Sequence, residues 1–192
     1  MLDGKWWLHQ LRLQELPGYQ EEQLVKSPRQ LRLENEYKSI RNRLDGSPYI
    51  EVQPVGPAPF ERYRVVYRVP SLRLDAQNRP VEAPITVVDF ELPLSYPKDK
   101  PRAVVAGAAV FHPNFGEYVC IADFWSPAQS LLDIIIEVGE MLQWQKYNIL
   151  SPLNAVAANW AAANRETLPL AGSVSLASST VLPAVRIATQ GE

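Results

Sequence analysis

Residues 49–111 are written largely in alternation, and this pattern restricts the fold more than any other feature of the chain. Tyr63, Val65, Tyr67 and Val69 take every second position of the segment 61–69, with Arg62, Arg64 and Arg68 among the residues between them. Successive side chains of extended backbone point to opposite sides, so this segment reads as a strand with one apolar and one charged face. The segment 49–55 alternates too, and in 85–92 Thr86, Val88, Phe90 and Leu92 oppose Asp89 and Glu91. The fourth segment, 102–111, is a nearly continuous run of small apolar residues. Short connections join these strands, which favours antiparallel pairing, because parallel neighbours need long crossovers. Residues 70–84 form a longer polar loop that reads as an elaborated hairpin between the second and third strands. A meander with one apolar face has to be covered, and helical stretches on either side supply the cover.

The first of these starts at Ser27-Pro28, a hydroxyl cap followed by a first-turn proline. Leu33, Tyr37, Ile40 and Leu44 then recur at helical spacing, with Arg32, Lys38, Arg41 and Arg43 available to water, and Asp45-Gly46 ends the helix. Ser126-Pro127-Ala128-Gln129 reads as a second helix start with a capping box, followed by a stripe of Leu131, Ile134, Ile135, Val138, Met141 and Leu142. A third helix starts at Ser151-Pro152 and runs through an alanine-rich segment to residue 164. The predicted fold is α+β: an N-terminal helix, a four-stranded antiparallel meander, an irregular segment at 112–125, a crossover helix and a C-terminal helix, together spanning 28–164. Residues 1–27 carry Trp6, Trp7, Leu8, Leu11 and Leu13 ahead of Pro17-Gly18 and read as an N-terminal extension. Residues 165–192, rich in Ser, Ala, Thr and Val, read as a low-complexity, flexible C-terminal tail.

Composition removes several function classes. With 192 residues, 46% hydrophobic and 21% charged, the chain suits one globular domain with extensions. A net charge of −2 offers no bulk attraction to nucleic acid or to a membrane surface. The most apolar long stretch, 128–144, is interrupted by Asp133, Glu137 and Glu140 and does not reach the length and apolarity of a membrane span. The first residues have neither the basic region nor the apolar run of a secretion signal. A single cysteine permits no internal disulfide, so a reducing cytoplasm is the expected compartment. His9 and His112 are the only histidines, too few with one cysteine for a closed zinc site. No metal or cofactor is expected.

That cysteine, Cys120, lies in the irregular segment, where it reads either as an inert small hydrophobe or as a nucleophile. Its polar surroundings favour the nucleophile. Glu117 and Asp123 are its nearest charges in sequence, and both disfavour thiolate formation. Such a thiol suits a carrier loaded by acyl transfer, since a thioester remains reactive to amines and the carrier needs no strong base of its own. Amine attack then develops an oxyanion, which needs a hydrogen-bond donor.

These elements and motifs resemble the ubiquitin-conjugating enzymes over residues 28–163. Tyr96-Pro97 followed by Pro101 resembles that family's proline-rich stretch between its third and fourth strands. His112-Pro113-Asn114 matches its signature tripeptide, and Cys120 stands downstream as the family's nucleophile does. Trp125-Ser126-Pro127 matches the entry to its crossover helix, and Ser151-Pro152-Leu153-Asn154 the loop and start of the helix after that. The resemblance implies that Cys120 accepts the C-terminus of a ubiquitin-like modifier from an activating enzyme, as a thioester, and passes it to an amine, a lysine of a target protein. It makes Asn114 either the oxyanion donor or a brace of the loop. His112, Pro113, Trp125 and Pro127 become motif residues of structural character. Ser151 stands where many members have an aspartate that assists the incoming lysine, and reads equally well as a helix cap. Lys38 and Arg41 are placed where the activating enzyme docks, although such charges also read as a solvated helix face. The outer face of the helix over 131–142 is where the family contacts its carried modifier.

Five residues separate Asn114 from Cys120, fewer than in familiar eukaryotic members, and no clear second C-terminal helix follows residue 164. These departures, with a composition rich in Ala, Pro and Gln, suggest a prokaryotic relative of operon-encoded conjugation systems like those of antiviral defence, with a deconjugating metalloprotease as a further partner. Two other functions compete. One is a catalytically silent scaffold or adaptor that binds a ubiquitin-like protein or an activating enzyme; silent relatives typically lack the cysteine. The other is a cysteine hydrolase, which needs a histidine to pair with the thiol and has only His112 or His9 to offer.

Overall fold

The computed structural model describes residues 26–121 and 125–176. The extension up to residue 25 with His9, Asp123, and the tail from residue 177 lie outside the described residues. Helix α1 (Pro28–Leu44) begins where the cap signal puts it: Ser27 Oγ accepts the Gln30 N–H at 3.2 Å, and Gln30 Oε1 accepts the Ser27 N–H at 2.8 Å. Its buried residues are Leu33, Glu36, Ile40 and Leu44. The stripe thus contains a carboxylate, while Tyr37 lies at its margin against Phe60.

Strands β1 (Ile50–Val55), β2 (Arg62–Tyr67), β3 (Ser71–Leu74), β4 (Pro80–Ala83), β5 (Thr86–Glu91) and β6 (Arg102–Val105) follow. Four of them form an antiparallel sheet in the order β1-β2-β5-β6. The polar loop predicted over 70–84 is itself a two-stranded hairpin, β3–β4. The fourth strand is shorter than its apolar composition suggests. It ends at Val105, and Gly107, at φ 106°, turns the chain away from the sheet. Phe111 then bonds to Leu72 of the hairpin and joins a second apolar cluster with Trp144 and Leu170.

Helix α2 (Leu131–Leu142) lies across the inner face of the sheet, with Leu131, Ile134, Ile135 and Val138 fully buried against Tyr63, Val65, Tyr67, Val88 and Phe90. It does not begin at Ser126. The Ser126 N–H does reach Gln129 Oε1 at 3.1 Å, but this contact closes an isolated turn. The working cap is Ser130, paired reciprocally with Asp133. Helix α3 (Ala155–Ala163) likewise starts four residues after the predicted Ser151, capped by Asn154.

The chain continues to pack past residue 164, where a flexible tail was expected. A 3-10 turn at Arg165–Thr167 leads to a segment that returns across α2, burying Leu170 and Leu176. Gln143 holds it, accepting the Val174 N–H at 2.6 Å. Gly139 makes room for it: a Cβ there would stand 2.4 Å from Leu176 Cδ1.

Candidate active site

The segment between β6 and α2 is irregular yet heavily tied. The Val119 N–H bonds to Ala103 O of β6, and the Cys120 N–H to Asn114 O, both at 2.8 Å. Val119 and Ile121 are buried in the main core. In extended backbone that alternation leaves Cys120 on the side solvent reaches, and it is a half-buried free thiol.

His112 is fully buried between Phe115 and Trp144, with ring centroids 5.1 and 4.6 Å away. Nδ1 accepts the Asn114 N–H at 3.1 Å, which puts the proton on Nε2, where it is donated to Lys146 O at 3.2 Å. Burial pushes its pKa down to about 3. A neutral imidazole with both nitrogens engaged by backbone is not a free base for the Cys120 thiol. It organises the loop.

Asn114 is buried, and its amide faces two loops. Oδ1 accepts the Asn148 N–H at 2.9 Å, and Nδ2 donates to Cys120 O at 3.4 Å, a long bond. Bracing therefore occupies its acceptor, while the NH2 group keeps donor capacity beside Cys120. Pro113 O accepts the N–H groups of Leu153 and Asn154, so all three residues of the tripeptide hold the segment 146–154. Within that segment Asn148 Oδ1 accepts the N–H groups of Leu150 and Ser151. Ser151 is exposed, and Leu153 packs on Gly116 of the Cys120 loop.

Downstream of Cys120, Trp125 donates from Nε1 to Pro97 O at 2.9 Å and lies beside the Tyr96 ring. Pro127 O is held by Arg32 at 3.0 Å. Arg32 is not a solvated residue, as its place in the pattern implied; it is half-buried and ion-paired to Glu36 at 2.6 Å. Lys38 and Arg41 are exposed on α1, Arg41 paired with Asp45 at 2.8 Å. Sequence reasoning missed Glu36 and Asn148. Glu36 left one available signal, a carboxylate three residues after Leu33 and four before Ile40, on the apolar face. Among the described residues no group of three or more His, Cys, Asp or Glu side chains is placed to hold a metal ion. None of the described helices is long and apolar enough to cross a membrane.

Taken together, the architecture is an α+β domain in which a helix-covered antiparallel sheet supports one half-buried cysteine on a braced loop. No family model and no curated protein matches the chain. Among solved structures, the E2 domain of a Toxoplasma gondii ubiquitin conjugating enzyme matches at TM-score 0.50 and 22% identity, over 71% of this chain and 89% of that one. At that identity the likeness is one of fold, and the fold is that of the ubiquitin-conjugating enzymes.

Proposed function

We propose that this protein is a conjugating enzyme of the ubiquitin-like pathways. Cys120 accepts the C-terminal acyl group of a ubiquitin-like modifier from an activating enzyme and passes it to an amine, a lysine of a target protein. The supporting observation is a half-buried cysteine fixed between core residues on a loop whose neighbouring Asn114 amide faces it. Transfer is balanced. The thiolate takes the acyl group from another thioester and releases that thiol; the amine then forms an amide and frees Cys120. Asn114 is the donor to the oxyanion of that second step as well as a brace. Pro113, Trp125 and Pro127 keep their structural character, and Lys38 and Arg41 belong to the docking face for the activating enzyme. Ser151 stands on the acceptor side. The single cysteine favours a cytoplasmic setting, and the motif departures favour a prokaryotic conjugation system.

The experiment incubates the protein with ATP and candidate modifier and activating-enzyme pairs, then looks for a thiol-sensitive adduct under non-reducing conditions. The adduct is expected to vanish in Cys120→Ala and to become a thiol-resistant ester in Cys120→Ser. An adduct that survives Cys120→Ala overturns the role of Cys120. Tight binding of the modifier without any adduct supports the scaffold instead.

A further inference from the structure

The most enclosed charge in the described chain belongs to a residue that the proposed chemistry leaves unused. Glu36 is 1% exposed. Its Oε1 accepts from Arg32 Nε at 2.6 Å and from the Tyr96 hydroxyl at 2.5 Å, and its Oε2 accepts the Leu131 N–H at 2.8 Å. Arg32 extends the cluster by donating to the carbonyls of Pro127 and Gln129. Apart from the Arg32–Glu36 pair itself, which spans one helical turn, these contacts join residues 60–97 apart along the chain. An apolar side chain in such a place often stabilises a fold as well as a buried ion pair does. What it lacks is direction, since only hydrogen-bonding groups fix where several separate segments stand relative to one another. Upstream, Cys120 is held by Asn114; downstream, Ile121 sits in the core, and the next side-chain hydrogen bonds along the described chain are those of Trp125 and this cluster.

We propose that Glu36 and Arg32 are positioning residues for acyl transfer, which fix residues 125–131 and so the downstream side of the chain that carries the Cys120 thioester. This rests on the proposed role of Cys120 as acyl carrier. Neither residue touches the reacting atoms. They act through Pro127, Gln129 and Leu131, and displacement of a reacting group by an ångström from such a distance slows chemistry by about two orders of magnitude at most.

A small-molecule probe tests this on the whole protein without cognate partners. Exchange with the thiophenyl ester of N-acetylglycine forms the Cys120 thioester and releases thiophenol. Free lysine then attacks, its nitrogen bonds to the acyl carbon, and the Cys120 thiol is regenerated. Discharge of the isolated adduct is followed by mass over a range of lysine concentrations, at a temperature where each variant is folded by circular dichroism. In Glu36→Gln and Arg32→Lys the rate at saturating lysine is expected to fall about tenfold or more, with half-saturation unchanged. Tyr96→Phe, which keeps the ring and removes one donor, is expected to fall about threefold. Wild-type discharge rates in the folded variants overturn the positioning role, and Tyr96→Phe alone decides if the other two do not fold. A wild-type adduct no faster than the same ester on a short cysteine peptide overturns instead the acyl-carrier role of Cys120, and the inference with it.

Discussion

Asn114 Oδ1 accepts the backbone N–H of Asn148 at 2.9 Å, joining the loop that leads into Cys120 to the loop that carries Ser151. The same side chain turns its NH2 group to Cys120 O at 3.4 Å. One residue thus offers an acceptor to structure and a donor to the site, and substitution separates the two.

Asn114→Asp keeps an acceptor for Asn148 and loses the amide donor, while Asn114→Ala loses both. Asp is expected to retain more stability than Ala, which leaves a partly buried N–H unpaired at a cost of about 1–3 kcal/mol. Both are expected to slow amine discharge of the Cys120 thioester by a factor of about 100 or more, the size of a lost oxyanion donor. Urea unfolding and discharge kinetics on the same preparations check this. Wild-type discharge in the Asp variant confines Asn114 to bracing.

His112 gives the fold an acid sensitivity of definite sign. Its folded pKa of about 3 lies below its ordinary 6.5, so between these values the unfolded chain holds a proton the native chain lacks. Stability is therefore expected to fall as pH is lowered through 6.5 and to stop falling on this account near 3. At about 1.4 kcal/mol per unit the loss approaches ~5 kcal/mol. His112→Gln, less stable at neutral pH through lost packing on Phe115 and Trp144, is expected to show a shallower acid limb in urea midpoints from pH 7 to pH 4. An unchanged limb would mean that the imidazole is protonated in the native state.

The main sheet was legible because the alternation of its first three strands is local, each carrying its own record of which face is buried; the fourth was legible only as an apolar run, and its early end at Val105 was not. The helix starts were less so, since Ser126-Pro127-Ala128-Gln129 and Ser130-Leu131-Leu132-Asp133 both carry capping signals and only packing selects the second. Glu36 was hidden for a stronger reason. A charged residue on a helix is ordinarily solvated; Arg32, one turn earlier, is a partner that helical spacing offers, but the tyrosine and the helix N-terminus that complete the enclosure are ones that no spacing rule connects to it. In the site, the pairing of Asn114 with Asn148 was out of reach for the same reason, although the tripeptide and Cys120 announced the loop itself. The segment 165–176 misled because the stretch past Pro169, rich in Ser, Ala and Val with almost no charge, resembles a tail unless Gly139 is known to leave a slot for Leu176.

That slot can be closed. Gly139→Ala places a methyl group 2.4 Å from Leu176 Cδ1 and 3.2 Å from Tyr67 Cε1. Alanine favours the helix by about 1 kcal/mol, but overpacking costs about 1–3 kcal/mol. A net loss of stability is expected. Leu176→Ala removes the nearer obstacle, so Gly139→Ala is expected to cost less in that background, a coupling of at least about 0.5 kcal/mol in a double-mutant cycle. Strict additivity by thermal or chemical unfolding would mean that the segment does not rest on Gly139.

Ser151 and Asn154 divide two roles that the sequence offered to Ser151 alone. Asn154 Oδ1 accepts the Ala157 N–H at 3.0 Å and so caps α3, a nine-residue helix whose buried residues are only Ala157, Ala158 and Ala161. Besides these alanines the half-buried Trp160, against Phe111 and Trp144, holds the helix, and loss of the cap in Asn154→Ala is expected to cost about 1 kcal/mol. Ser151 is exposed and stands outside the helix, with its backbone N–H on Asn148 Oδ1 at 3.3 Å. Ser151→Ala is therefore expected to leave stability within about 0.5 kcal/mol. Any slowing of discharge to lysine in that variant then reports on the acceptor step itself, because the fold around Cys120 is unchanged. The two unfolding curves, measured side by side, check the assignment: equal losses would return the cap to Ser151, and a Ser151→Ala protein with wild-type discharge would remove it from the acceptor chemistry.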